Sequence, residues 1–145
     1  MPLYRFLDET AADHMTRAVK TTTRAETMAE LQRRFDADDF NTYPVVENGE
    51  VVGIVTKFDF LRMFSLTPAR LVPRYDDLMK VAVGEAMTSD FIYVTPVTRL
   101  TRVLQLMVEH RIRSVPVIDN AQGLIGIISR EDVMRALQRC QGRDS

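Results

Sequence analysis

What most constrains this chain is that its second half repeats its first. Pro44 and Pro116 each stand in a Pro-Val-(Val/Ile)-acid-Asn run, 72 positions apart. At that spacing Met15-Thr16 aligns with Met87-Thr88, Thr23 with Thr95 and Asn48 with Asn120. One extra residue in the second half moves the spacing to 73, and Gly53, Ile54, Asp59 and Arg62 then align with Gly126, Ile127, Asp132 and Arg135. So many ordered matches with a single one-residue shift identify a tandem duplication. The 145 residues, 46% of them hydrophobic, are enough for one ordinary domain or two small ones with a real core.

Each copy reads as β-α-β-β-α. A short strand is expected near Ala18–Thr22 and again near Phe91–Thr95. An amphipathic helix follows, with Met28, Leu31 and Phe35 in one copy and Leu100, Val103, Leu104 and Met107 in the other at three-to-four spacing. Strands Tyr43–Val46 and Val51–Val55 flank Asn48-Gly49, a good two-residue turn. Val115–Ile118 and Leu124–Ile128 flank the longer Asn120-Ala121-Gln122-Gly123. Pro44 and Pro116 would remove a ladder donor inside a strand, which places them at strand starts. Closing helices run from Lys57 to about Phe64 and from Arg130 to about Arg139. The expected division is an extension at 1–10, a first repeat at 11–64, a linker at 65–82, a second repeat at 83–139 and a tail at 140–145. The linker carries Pro68 and Pro73 around Arg70, Arg74, Asp76 and Asp77, and its Leu78, Met79, Val81 and Val83 suggest a short packing segment.

Chemistry concentrates at two strand-to-helix corners, Gly53-Ile-Val-Thr-Lys-Phe-Asp59 and Gly126-Ile-Ile-Ser-Arg-Glu-Asp132. Thr56 and Ser129 suit the helix N-cap, and the Asp three positions later lands in the first turn, where unpaired N–H groups and the dipole favour negative charge. Such a corner either caps its helix and does nothing more, or receives a ligand that carries hydroxyls and phosphate.

With both motif sets in place, the chain resembles a tandem pair of CBS domains, the regulatory modules named after cystathionine β-synthase. The resemblance spans about Ala11 to Leu137 and rests on the Met-Thr starts, the Pro-Val-(Val/Ile) strands and the Gly-h-h-(Ser/Thr)-x-x-Asp endings. It implies an α+β fold of two repeats in pseudo-two-fold arrangement, each a small three-stranded sheet with helices on one face. It also implies two clefts for an adenosine-containing ligand such as AMP, ADP, ATP or S-adenosylmethionine. Asp59 and Asp132 match the family's ribose-binding Asp, whose ionised carboxylate accepts both hydroxyl protons. Thr56 and Ser129 resemble the phosphate-contacting hydroxyls, with Lys57 and Arg130 beside them. Arg113 and Ser114, and Asn41 and Thr42 in the first copy, match positions that aim at the nucleotide. Val45, Val55, Val117 and Ile128 are candidate adenine walls. The second corner is better equipped for an anion, because the first offers Asn41 in place of Arg113. The resemblance further implies a regulatory module that passes a ligand-driven change to a partner, with no catalytic domain and no required cofactor. A ligand-free dimeric scaffold is the competing reading.

The remaining chemistry is sparse. With 19 basic and 20 acidic residues the net charge is −1, which disfavours broad nucleic-acid binding, although Arg99, Arg102, Arg111, Arg113 and Arg130 form a local basic group. His14 and His110 occupy unmatched positions and read as surface residues, not as metal ligands. The single Cys140 excludes an intrachain disulfide and suits a reducing compartment. Phe58 and the eight methionines read as packing residues. There is no signal-peptide pattern at Met1–Thr10 and no long apolar run, so a soluble, cytoplasmic protein is expected, without a membrane partner. Finally, Leu100, Val103, Leu104, Leu106, Met107 and Val108 are too many apolar positions for one helix face. They predict a homodimer joined through helices, unless linker residues Leu71, Val72, Leu78 and Met79 cover the surplus within one chain.

Overall fold

The computed structural model describes residues 2–38, 40–65, 75–121 and 123–142. Its elements are α1 (Pro2–Asp8), α2 (Ala11–His14), α3 (Met28–Asp38), β1 (Thr42–Glu47), β2 (Glu50–Thr56) and α4 (Lys57–Ser65), followed by α5 (Tyr75–Met79), α6 (Val83–Ala86), α7 (Leu100–His110), β3 (Ser114–Asp119), β4 (Gly123–Ser129) and α8 (Arg130–Gly142). The fold is mixed helix and strand, with two small antiparallel hairpins, β1 with β2 and β3 with β4. Asn48 and Gly49, at φ of 54° and 81°, make the tight turn that two successive positive φ values require.

The chain gathers into two compact units, one from Met1–Val19 with Ile92–Ser145, the other from Lys20–Phe91. Each hairpin is therefore packed by a leading segment that precedes the other hairpin in sequence. In the first unit Thr16 bridges Ile127, with N–H···O distances of 2.8 and 2.9 Å. In the second, Thr88 bridges Ile54 at 2.9 and 2.8 Å. These crossings explain the aligned glycines. A Cβ on Gly126 would lie 2.5 Å from Met15 Sδ and 3.0 Å from the Thr16 carbonyl, and one on Gly53 would lie 2.9 Å from the Thr88 carbonyl.

The expected third strand is reduced to one residue in each unit. Thr22 bridges Val45 and Val94 bridges Val117, both parallel. Thr22 donates to Pro44 O at 2.9 Å and accepts from Val46 N at 2.9 Å. The next rung of a parallel ladder would need the N–H of Pro44, which does not exist, and Pro116 imposes the same limit beside Val94. The prolines are the third residues of their strands, not the first, and what they block is the neighbouring strand.

The first core holds Leu100, Val103, Leu106 and Met107 of α7 with Val115, Val117, Ile128, Val133, Ala136 and Cys140, closed by Phe6 and Ala11 from the N-terminal helices. The second holds Met28, Leu31, Phe35, Tyr43, Val45, Val55, Val83 and Ala86. Helix α1 thus occupies in the first unit the place that α5 takes in the second, α1 packing on α7 and α8, α5 on α3 and α4. This corrects the reading of α7. Its extra apolar positions are covered inside the unit, and only Val108 stays largely exposed, at 68%. Neither a second copy nor the linker is needed there. Leu71 and Val72, like Pro68, Arg70, Pro73 and Arg74, lie outside the described residues. Phe58, expected to pack, is 70% exposed on α4, with Leu61 beside it at 63%.

Candidate functional site

Each strand-to-helix corner is a closed capping box. Ser129 N–H and Oγ–H donate to Asp132 Oδ2 at 2.9 and 3.0 Å, and Asp132 N–H returns a bond to Ser129 Oγ at 3.3 Å. Thr56 and Asp59 repeat the arrangement at 2.9, 3.1 and 3.1 Å. Three residues separate hydroxyl from carboxylate because that spacing brings the N3 side chain back over the cap. Both aspartates are buried, Asp59 at 4% and Asp132 at 5% exposure. A second tie holds the other oxygen. Arg135 pairs with Asp132 Oδ1, while Arg62 meets Asp59 Oδ1 at 2.9 Å and Thr88 Oγ1 donates to the same oxygen at 3.3 Å.

The structure brings the sequence-predicted residues together around these corners. Ser114 pairs with Ser129 and Thr42 with Thr56 across the hairpins. Arg130 N–H donates to Arg113 O at 2.9 Å, and Lys57 N–H to Asn41 O at 3.1 Å, which sets those side chains beside the helix starts. A helix start has about four orphan donors; at each corner three are already satisfied, those of the cap residue, the first helical residue and the Asp, so the anion-binding capacity read from sequence is reduced. Arg113 and Arg130 are exposed. Lys57 lies against an aromatic face, its Nζ 6.0 Å from the Phe35 ring centre.

Four candidates are excluded as ligand walls. Val45, Val55, Val117 and Ile128 are all 0% exposed. Their side chains belong to the cores beneath the helices and leave no surface for a base. Strand alternation decides this, since the motif residues that point toward the helices cannot also point outward.

Beside Asp132 lies a cavity of about 260 Å³ lined by Asp13, His14, Met15, Thr16, Asp132, Arg135 and Arg139. A second, of about 290 Å³, shares Asp13, His14 and Arg139 with it and extends to Glu9 and Cys140. Sequence reasoning missed this wall. Thr16 and Arg135 carry a signal, because both align with residues of the other copy. Asp13 and Arg139 carried none. His14 is a partly buried residue, its side chain 12% exposed and in contact with Glu9, and so not the surface residue expected. Cys140 Sγ–H donates to Glu9 Oε1 at 3.5 Å. Among the described residues no three His, Cys, Asp or Glu side chains are set to hold a metal ion, and no helix is long and apolar enough to cross a membrane.

Two hairpins with capped corners, in a duplicated chain, define a class that the comparisons name. The CBS domain family model matches residues 11–66 and 83–139, and the chain belongs to that family. Protein MJ1225 of Methanocaldococcus jannaschii is 28% identical over 131 residues, covering 88% of this chain and 47% of that protein. Its crystal structure superposes with a TM-score of 0.81 over the same shares of the two chains. CBSX3, a mitochondrial CBS domain-containing protein of Arabidopsis thaliana, is 38% identical over 98 residues, covering 64% of this chain and 44% of that protein. CBSX2, crystallised in complex with AMP, shares the fold at a TM-score of 0.76 and 24% identity, covering 91% of this chain and 98% of that one. The chain spans about half the length of the first curated relatives it matches, at 47%, 43% and 44%.

Proposed function

We propose that the corner at Asp132 binds the ribose of an adenosine-containing ligand, AMP, ADP, ATP or S-adenosylmethionine, and that the chain is a regulatory sensor passing this event to a partner protein. One observation carries the reading. Asp132 Oδ2 is fixed by the cap, but among the described residues Oδ1 is held by Arg135 alone, whose side chain is 59% exposed and borders the same cavity. Arg135 is the exposed member of the pair, so its guanidinium can turn into solvent when a ribose hydroxyl takes over Oδ1. Ser129, Ser114, Arg113 and Arg130 surround the helix start. Asp59, with Thr56, Asn41 and Thr42, repeats the corner in the second unit, but Thr88 as well as Arg62 holds its outer oxygen, which makes it the weaker site. CBS membership and the AMP complex of CBSX2 agree with this ligand class; at 24% identity that likeness carries the fold, so the corner geometry bears the argument.

The basic-group reading is weakened. Arg99 donates to Leu7 O at 2.8 Å and Arg102 to Gln105 at 3.0 Å, so two of its five members serve local contacts. We propose that the homodimer forms through α4, because Phe58 and Leu61 there present an apolar surface to solvent.

Calorimetry with the four ligands tests the proposal. Asp132→Asn keeps an acceptor for Ser129 N–H and removes the charge. Affinity for the bound ligand should fall at least about tenfold, as expected when charge-assisted bonds worth about 1.5–3 kcal/mol are weakened. Equal affinity in the two proteins would refute the ribose assignment. No binding by folded wild type would leave the ligand-free scaffold.

A further inference from the structure

The two units have the same fold, but they differ beside the ribose-type corner. In the first unit the wall facing Asp132 is Asp13, His14 and Thr16 from the leading segment, with Arg135 and Arg139 from α8. Under the repeat alignment Thr16 corresponds to Thr88 and Arg135 to Arg62, whereas His14 corresponds to Ala86 and Arg139 to Leu66. Thr and the first Arg therefore belong to the shared scaffold. The second unit closes its core around Ala86 where the first has His14, so the fold does not require the histidine; Leu66, aligned with Arg139, lies outside the described residues.

Among the charged groups here, Arg139 alone has no use within the described structure. Asp13 accepts from Thr10 N–H at 2.9 Å and Thr10 Oγ–H at 3.2 Å. Glu9 is engaged by His14 and Cys140, and Asp132 by its cap and Arg135. Arg139 makes no hydrogen bond or ion pair among the described residues, yet it lines both cavities. It lies seven residues after Asp132 on one face of α8, about 10 Å further along the axis at about 1.5 Å per residue. Asp132 and Arg139 border the same cavity, which sets both groups on one side of α8. Arg113 and Arg130, by contrast, line neither cavity.

We infer that Arg139 is an oxyanion subsite of the Asp132 corner, receiving a phosphate or carboxylate carried by a nucleoside whose ribose is held at Asp132. A guanidinium suits either group, because its fork donates two parallel bonds to paired oxygens. The inference rests on the proposed nucleoside reading and adds the direction in which the ligand lies, along α8 toward Arg139 and away from the helix start. It also assigns the discrimination of anionic ligands to the first unit, since in sequence the residue aligned with Arg139 is an uncharged Leu.

The test is calorimetry of the whole chain with adenosine, AMP and S-adenosylmethionine at fixed ionic strength. Adenosine carries no anion, AMP supplies a phosphate and S-adenosylmethionine a carboxylate. Arg139→Gln should lower the affinity for AMP, S-adenosylmethionine or both at least about tenfold, as for a lost charge-assisted bond, and leave adenosine unchanged. The arm that falls identifies the anion, and Arg139→Lys should restore part of the loss. Arg139 is exposed, so both variants should keep the wild-type circular dichroism spectrum. Equal losses for all three ligands, no loss for any, or a selective loss on Arg113→Ala but not Arg139→Gln would overturn the subsite. If wild type binds adenosine in an Asp132-dependent way, the nucleoside reading survives that failure; if wild type binds none of the three, both fall.

Discussion

Asp132→Ala tests how far the corner is structural. The substitution removes the acceptor of Ser129 N–H and Oγ–H, at 2.9 and 3.0 Å, in a residue only 5% exposed. A helix cap contributes about 1 kcal/mol, and a bond to a charged acceptor about 1.5–3 kcal/mol before compensation by water. Arg135, 59% exposed, can turn into solvent when its partner is removed, so its contact is not counted separately. These terms overlap, and the expected loss is about 2–3 kcal/mol. In a urea titration followed by circular dichroism, with m near 2 kcal/mol/M, the midpoint should fall by about 1–1.5 M at unchanged m. Glu131→Gln, one residue away and exposed, should stay within about 0.5 kcal/mol of wild type. A midpoint for Asp132→Ala within about 0.2 M of wild type, on the same m-value basis, would refute the capping account. The substitution also shows why binding is better tested with Asn, since Ala confounds lost affinity with lost stability.

Two further outcomes are expected. Tyr43 is 0% exposed, and its single hydroxyl proton is donated to Asp38 Oδ2 at 2.6 Å, with Arg34 O also within reach at 3.0 Å. Burial, with the Asp38 bond second, pushes the phenol well above its ordinary value. Its stabilising contribution is therefore complete below about pH 10, the unfolded value, and is lost as pH rises from there toward the folded one. Tyr43→Phe should flatten the decline of unfolding free energy between about pH 9.5 and 11, and superimposable slopes would contradict this. For the dimer, light scattering should give twice 16.6 kDa for wild type and 16.6 kDa for a folded Leu61→Glu; a monomeric wild type would dismiss the α4 contact.

The duplication, the helices α3 and α7, both hairpins and both capping boxes could be read directly from the residues. Each depends on neighbours within a few positions, such as Met28, Leu31 and Phe35 on one helical face, Asn48-Gly49 at a turn, and Ser129 three before Asp132. The CBS resemblance followed from those same local motifs. What was misread depended on distant partners. The surplus apolar surface of α7 was assigned to a second copy because nothing near it in sequence announces Phe6 as its cover. Val117 and Ile128 were assigned to a ligand because composition does not say which side of a strand meets the core. The wall of the Asp132 cavity joins residues 13–16 to residues 132–139. Periodicity and spacing carry information over one or two turns of chain, whereas that wall exists only because Thr16 crosses β4 at Ile127 and brings the two ends of the sequence together.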